Sequence, residues 1–185
     1  MIEIEVKFPI GEDAAWLETA LVEQGFSGPE AAFERSFVYD RIEGERLAET
    51  GVLLRLRESC PSDRPEGPHT VRLTVKTPVE APGCEGLKAR RELEALLGCG
   101  AEDARAMLEA LGFRVAFSYD RVRRSYRKEG VRVCLDSLEF GSFVEIEASR
   151  PEEVRSTAVG LGLDPSSGIS ESYMQLARAA EGRRV

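Results

Sequence analysis

Three segments of the chain repeat Glu-x-Glu: Glu3/Glu5, Glu92/Glu94 and Glu145/Glu147. Three others carry paired cations: Arg55/Arg57, Arg72/Lys76 and Arg121/Arg123. Clustered carboxylate oxygens without His or Cys suit hard Mg²⁺ or Mn²⁺. Arg and Lys suit a polyanion, and Arg adds bidentate contacts to phosphate. Acid and base lining one cavity is the combination a metal-chelated polyphosphate needs, whereas either sign alone is ambiguous. Other routes to chemistry are missing. The chain has no G-x-x-x-x-G-K-[ST] loop and no G-x-S-x-G elbow. The four cysteines, Cys60, Cys84, Cys99 and Cys134, form no C-x-x-C pair. The single histidine, His69, closes a Pro-rich run and reads as a solvated loop residue. A structural zinc site is therefore not expected.

The elements that must position these residues are read from period-two alternation. Ile2, Ile4, Val6 and Phe8 share one face, with Glu3, Glu5 and Lys7 on the other. Further strands are predicted over Ser36–Asp40, Val52–Arg57, Val71–Thr77, Arg90–Leu96, Val115–Arg127, Val131–Asp136 and Phe143–Ala148. Helical stripes are predicted over Gly11–Phe26 (Trp16, Leu17, Ala20, Leu21, Gln24) and Glu102–Leu111 (Ala104, Met107, Leu108, Leu111). Two more helices are predicted over Glu152–Leu161 and Glu171–Ala180. The connections over Pro78–Gly86 and Glu58–His69 read as loops. In a strand, residues i and i+2 share a face about 6–7 Å apart, so each charged pair aims at one volume. An antiparallel sheet with one wet face would also show such alternation. About eight strands, however, are enough to close a barrel. If the apolar faces lie outward under helices, the charged faces line a wet tunnel, because unpaired charges in a dry core would cost several kcal/mol each. The expected fold is α+β, an eight-stranded antiparallel closed barrel with helices outside. A weak duplication, about 1–77 and 90–148, reads as two halves of one domain spanning 1–185.

Composition bounds the rest. The 185 residues include 25 Lys plus Arg and 33 Asp plus Glu, a formal net charge of −8, with 42% hydrophobic. That length is enough to bury a core, and the apolar fraction is too high for a disordered chain. The acid excess discourages nucleic-acid binding by bulk charge. No apolar run is long enough for a transmembrane helix, and the MIEIEVKF start lacks a signal-peptide pattern. Cysteines without a pairing pattern agree with a reducing, cytoplasmic setting. No membrane partner is expected, and a homodimer through the outer helices stays open.

With these residues in order, the sequence resembles the CYTH superfamily, the triphosphate tunnel metalloenzymes. Glu3-Ile4-Glu5-Val6-Lys7 looks like its E-x-E-x-K signature. Phe37-Val38-Tyr39-Asp40, Leu47, Gly51 and Leu54-Arg55-Leu56-Arg57 follow the pattern. So do Leu73-Thr74-Val75-Lys76, Arg90-x-Glu92-x-Glu94, Arg121-x-Arg123-x-x-Tyr126 and Leu135-Asp136. Gly141-Ser142-Phe143-Val144-Glu145-Ile146-Glu147 and Ser172-Tyr173 complete it, so the likeness spans essentially the whole chain. The resemblance implies that Glu3, Glu5, Asp136, Glu145 and Glu147 bind divalent metal. It implies that Lys7, Arg55, Arg57, Lys76, Arg121 and Arg123 bind the triphosphate, with Lys7, Arg55, Arg57 and Lys76 also in catalytic contact. The implied activity is metal-dependent hydrolysis of tripolyphosphate, thiamine triphosphate or a nucleoside triphosphate. Two alternatives are a class IV adenylyl cyclase, making cyclic AMP and pyrophosphate from ATP, and a non-catalytic polyphosphate-binding module. The carboxylates count against the last, since anion binding alone has no use for them. The chain length is also expected to leave no room for an appended helical polyphosphate-binding domain.

Overall fold

Alternating apolar residues build eight strands in the computed structural model, which describes residues 2–11, 14–64 and 66–182. They are β1 (Ile2–Ile10), β2 (Ser27–Arg41), β3 (Leu53–Pro61), β4 (Thr70–Pro78), β5 (Lys88–Leu97), β6 (Phe113–Lys128), β7 (Val131–Leu138) and β8 (Gly141–Ala148). Four helices accompany them: α1 (Ala15–Glu23), α2 (Ala101–Ala110), α3 (Pro151–Gly160) and α4 (Tyr173–Glu181). The strands close into an antiparallel barrel in the order β1-β5-β4-β3-β2-β6-β7-β8, with the helices outside, an α+β fold.

The chain forms two compact units that interleave in sequence. The first contains Ala31–Glu80 and Arg90–Val122, and the second contains Glu3–Glu30, Ala81–Ala89 and Arg123–Val185. Each has its own apolar core. In the first, Tyr39, Leu54, Leu56 and Val71 pack with Ala104 and Leu108 of α2. In the second, Ile4, Val6 and Phe8 join Val133, Leu135, Val144 and Ile146 under Leu17 and Leu21 of α1 and Val154, Ala158 and Leu161 of α3. Burying such aliphatic and aromatic side chains contributes about 1.5–3 kcal/mol each. The pleat then forces the alternate residues of the same strands, which are the charged ones, onto the opposite face.

The structure departs from the sequence expectation in several places. β2 begins at Ser27, not Ser36, and its pairing with β3 alone carries the strand back to Ala32, running from Ala32 opposite Pro61 to Tyr39 opposite Leu54. The same pairing draws Glu58–Pro61, expected as loop, into β3. α1 starts at Ala15; of the helix expected over Gly11–Phe26, Glu12 and Asp13 lie outside the described residues. Trp16, Met107 and Leu111 were expected on buried stripes but are 49%, 58% and 72% exposed. These helices are only 9 and 10 residues long. Leu17/Leu21 and Ala104/Leu108, one turn apart, suffice to cover the strands beneath them. α4 starts at Tyr173 because Ser172 caps it. The Ser172 hydroxyl accepts from the Gln175 N–H, and the Gln175 side chain accepts from the Ser172 N–H at 2.8 Å. Among the described residues, no helix is long and apolar enough to cross a membrane.

Candidate functional site

In the first unit, strand register gathers the cations. Arg55 lies opposite Thr74 and Arg57 opposite Arg72. Across the next ladder Lys76 faces Glu92 and Thr74 faces Glu94. Arg55, Thr74, Lys76 and Arg121 are buried. Glu34 of β2 organises two of the guanidiniums. Its carboxylate accepts from Arg121 Nε at 2.6 Å and from Arg57 Nη1 at 3.0 Å. Glu94 accepts from Thr74 Oγ1 at 2.9 Å and from Arg72 Nη1 at 2.8 Å, while Lys76 Nζ lies 3.4 Å from Glu92. Burial raises the Glu94 pKa, but Thr74, Arg72 and Arg57 outweigh it and hold the group below the ordinary carboxylate value.

Arg55 stands apart. Its side chain is buried, and among the described residues its Nε has no hydrogen-bond partner. Burial and the Arg121 charge oppose its protonation, but the Tyr119 phenol and Glu34 more than compensate, so it stays charged. Tyr119 is itself buried. Burial pushes its pKa up, yet Arg121, Arg55 and the Ser36 hydroxyl pull it below the ordinary phenol value. A buried, charged donor with an open Nε, beside a second guanidinium, is a setting that an anion with several oxygens completes.

The second unit is acid-rich. β1 and β8 set Glu5 directly opposite Glu147 and Lys7 opposite Glu145; β7 and β8 set Arg132 opposite Glu147. Glu5, Asp136, Glu145 and Glu147 are all buried. Arg123 sits among three of them. Its Nε and Nη2 donate to the two oxygens of Asp136 at 2.6 and 2.5 Å, Nη2 also donates to Glu145, and Nη1 is 3.7 Å from Glu147. Burial opposes the Arg123 charge, but Asp136 and Glu145 raise its pKa well above the ordinary value. Arg132 Nε donates to Glu147 at 2.6 Å. Lys7 Nζ is 3.0 Å from Glu145 and 4.4 Å from the centre of the Tyr173 ring. Tyr173 in turn donates its hydroxyl to Asp136 at 2.6 Å. Glu147 is raised above the ordinary carboxylate value, first by burial, then by Glu3 and Glu145 against the pull of Arg132 and Arg123. Nearby, burial pushes the Cys134 thiol up to about 11, so it is a packing residue rather than a nucleophile at neutral pH.

Glu5, Glu145 and Glu147 offer carboxylate oxygens, the donor type that hard divalent cations take. Like charges directly across a ladder repel, and the Glu5–Glu147 pairing with Glu145 nearby is the kind of repulsion that such an ion relieves. Among the described residues no three His, Cys, Asp or Glu side chains converge into a ready-made metal cage. The Arg123 guanidinium accounts for this, since it engages Asp136, Glu145 and Glu147 together. Asp136 is held on both oxygens by Arg123 and also by Tyr173, which makes it an anchor for Arg123.

Of the site residues expected from sequence, the structure therefore gathers Arg55, Arg57, Lys76 and Arg121 in the first unit. In the second unit it gathers Lys7, Glu5, Arg123, Asp136, Glu145 and Glu147, with Glu3 close enough to influence Glu147. Sequence reasoning missed Glu34, Ser36 and Tyr119. Glu34 follows Gly28-Pro29, which looks like a strand breaker, and Ser36 opens the expected strand Ser36–Asp40 without a charge to mark it; Phe33/Phe37 against Glu34/Ser36 is nevertheless the same alternation. Tyr119 shares the face of Arg121 two residues on, and parity alone would have included it.

The strands of a closed antiparallel barrel thus carry buried carboxylates and guanidiniums. The CYTH domain model matches residues 1–172, and the chain belongs to that family. It is 24% identical over 188 residues to a Methanocaldococcus jannaschii protein named "putative adenylate cyclase", covering 95% of this chain and 98% of that one. A solved Vibrio parahaemolyticus structure of the same name matches with a TM-score of 0.77 at 20% identity, over 96% of this chain and 98% of that one. A solved Hippeastrum protein, described as a "putative adenylyl cyclase" with a dominant triphosphatase activity, matches with a TM-score of 0.65 at 21% identity, over 96% and 95% of the two chains.

Proposed function

We propose that the protein is a divalent-metal-dependent triphosphatase of the cytoplasm, hydrolysing tripolyphosphate, thiamine triphosphate or a nucleoside triphosphate. The observation that carries this reading is Arg55, a buried guanidinium with an open Nε beside Tyr119 and Arg121. Arg55, Arg57, Lys76 and Arg121 would bind phosphate oxygens in the first unit, and Lys7 and Arg123 would do so in the second. Fixed guanidiniums of this kind stabilise charge as it spreads over the transferring phosphoryl oxygens. Glu5, Glu145 and Glu147, with Glu3, would hold Mg²⁺ or Mn²⁺; Asp136 would act mainly through Arg123. A divalent cation held there would supply Lewis-acid screening of the phosphate oxygens. The four cysteines are all free, in keeping with a reducing compartment.

The second reading is adenylyl cyclisation, in which the ribose 3′-hydroxyl attacks the α-phosphorus and pyrophosphate leaves. It is supported by the names of the Methanocaldococcus and Vibrio relatives, whereas the Hippeastrum description supports hydrolysis. The deciding experiment incubates the protein with tripolyphosphate, thiamine triphosphate and ATP in turn, with Mg²⁺ and then Mn²⁺. Orthophosphate, pyrophosphate and cyclic AMP are measured. Orthophosphate from at least one substrate is the expected result. Cyclic AMP with equal pyrophosphate would replace the hydrolase reading with the cyclase, and binding without turnover would overturn both.

A further inference from the structure

The segment that leads into α4 is tied to β1 at one residue, Lys7. The Ile169 N–H donates to the Lys7 carbonyl at 2.7 Å, and the Lys7 ammonium donates to the Glu171 carbonyl at 3.3 Å. The approach is close: a Cβ on Gly168 would sit 2.5 Å from Val6 Cγ2, so only glycine fits there without displacement. Lys88 adds a hydrogen bond to the Ser170 carbonyl. The Ser172 cap then fixes the first residue of α4, Tyr173, which is buried.

Tyr173 touches both charged arms of this unit at once. The face of its ring receives the Lys7 ammonium, and its hydroxyl donates to Asp136, which holds Arg123 by two hydrogen bonds. Phe143, edge-on at 5.6 Å, and Phe140, at 6.2 Å, fix the plane of the ring. A lysine on four rotatable bonds has no preferred aim of its own, and the ring, the Glu171 carbonyl and Glu145 give it one. We infer that Tyr173 is a positioning residue for the triphosphate site: its ring aims the Lys7 ammonium and its hydroxyl holds the Asp136–Arg123 pair. This rests on the triphosphate reading and names a residue through which the C-terminal segment acts on that site.

The test compares Tyr173→Phe with Tyr173→Leu in the full chain. Tripolyphosphate affinity is measured by calorimetry without divalent metal, and kcat and KM with Mg²⁺. The phenylalanine keeps the ring under Lys7 and loses only the hydroxyl. Its affinity should stay within about twofold of wild type, while kcat falls several-fold as Arg123 loses its orientation. The leucine removes the ring as well and should weaken tripolyphosphate binding and raise KM about tenfold, the scale of a desolvated cation–π contact. A purely structural role predicts something else: both variants lose active fraction, kcat falls at unchanged KM, and the leucine is not distinguished by affinity. That pattern, or wild-type affinity in Tyr173→Leu, would overturn the positioning role alone. Failure of the wild-type protein to bind any of tripolyphosphate, thiamine triphosphate and ATP would overturn the parent reading with it.

Discussion

The two units solve the burial of charge in opposite ways. In the first, guanidinium and ammonium groups gather around few carboxylates: Glu34 serves both Arg121 and Arg57, Glu94 serves Arg72, and the Nε of Arg55 has no partner among the described residues. In the second, carboxylates gather around few cations: Arg123 serves Asp136 and Glu145 and approaches Glu147, while Glu5 faces Glu147 directly. The pKa shifts follow the same division. Glu94 is lowered by its cationic neighbours, and Glu147 is raised by burial and by other carboxylates. One region carries an excess of buried cations and the other an excess of buried carboxylates, on strands of the same alternating pattern.

Removing a carboxylate from the acid-rich unit should have the largest effect. Glu145→Gln keeps shape and hydrogen-bonding capacity but removes one negative charge from beside Lys7 and Arg123. Turnover with Mg²⁺ should fall by about 100-fold or more, since metal stabilisation of phosphoryl charge is worth several kcal/mol. Metal-free tripolyphosphate binding should be unchanged or tighter. Steady-state kinetics and calorimetry check the two halves, and wild-type turnover would remove Glu145 from the metal ligands.

The cation-rich unit should give the reverse pattern. Arg55→Met replaces a buried guanidinium by an apolar side chain of similar length. Metal-free tripolyphosphate affinity should drop about tenfold, the loss of roughly one charge-assisted contact. Stability should change little, because losing the Tyr119 and Glu34 interactions offsets the removal of repulsion from Arg121 and of an unsatisfied buried donor. Thermal melting in the absence of phosphate checks this, and a lowered melting temperature together with unchanged affinity would make Arg55 structural.

Much of this contrast was legible before the structure. Glu3/Glu5, Glu145/Glu147, Arg55/Arg57 and Arg121/Arg123 are displayed by period-two alternation, which depends only on backbone pleat. The seven strands with a clean pattern were placed to within a few residues, apart from the extension of β3 through Pro61. What was illegible depends on partners distant in sequence. The stretch of β2 from Ala32 to Arg35, and with it Glu34, comes from β3 pairing that runs on to Pro61, a residue that looks like a breaker. The exposure of Trp16 and Leu111 depends on how little of each short helix the strands below require. That Asp136 serves Arg123 and Tyr173 is visible only once β6, β7 and α4 are brought together.

The mildest perturbation sharpens the comparison through pH. Glu94 has its folded pKa held below the ordinary value of 4.5, so its interactions with Thr74, Arg72 and Arg57 stabilise the folded state fully above that value. They are lost as pH falls through the lowered folded pKa, because the unfolded chain then binds the proton more readily. Glu147 has the opposite sign: its raised folded pKa makes the metal-free protein lose stability as pH rises above the ordinary carboxylate value. Glu94→Gln should therefore be less stable than wild type at neutral pH, where Arg72 and Arg57 lose a counter-charge. The gap should close as pH falls below the ordinary carboxylate value and Glu94 is protonated in the wild-type chain. Urea unfolding as a function of pH, without divalent metal, checks the convergence. A gap that stays constant with pH would mean that the glutamine is felt through packing and that Glu94 is not ionically coupled to β3 and β4.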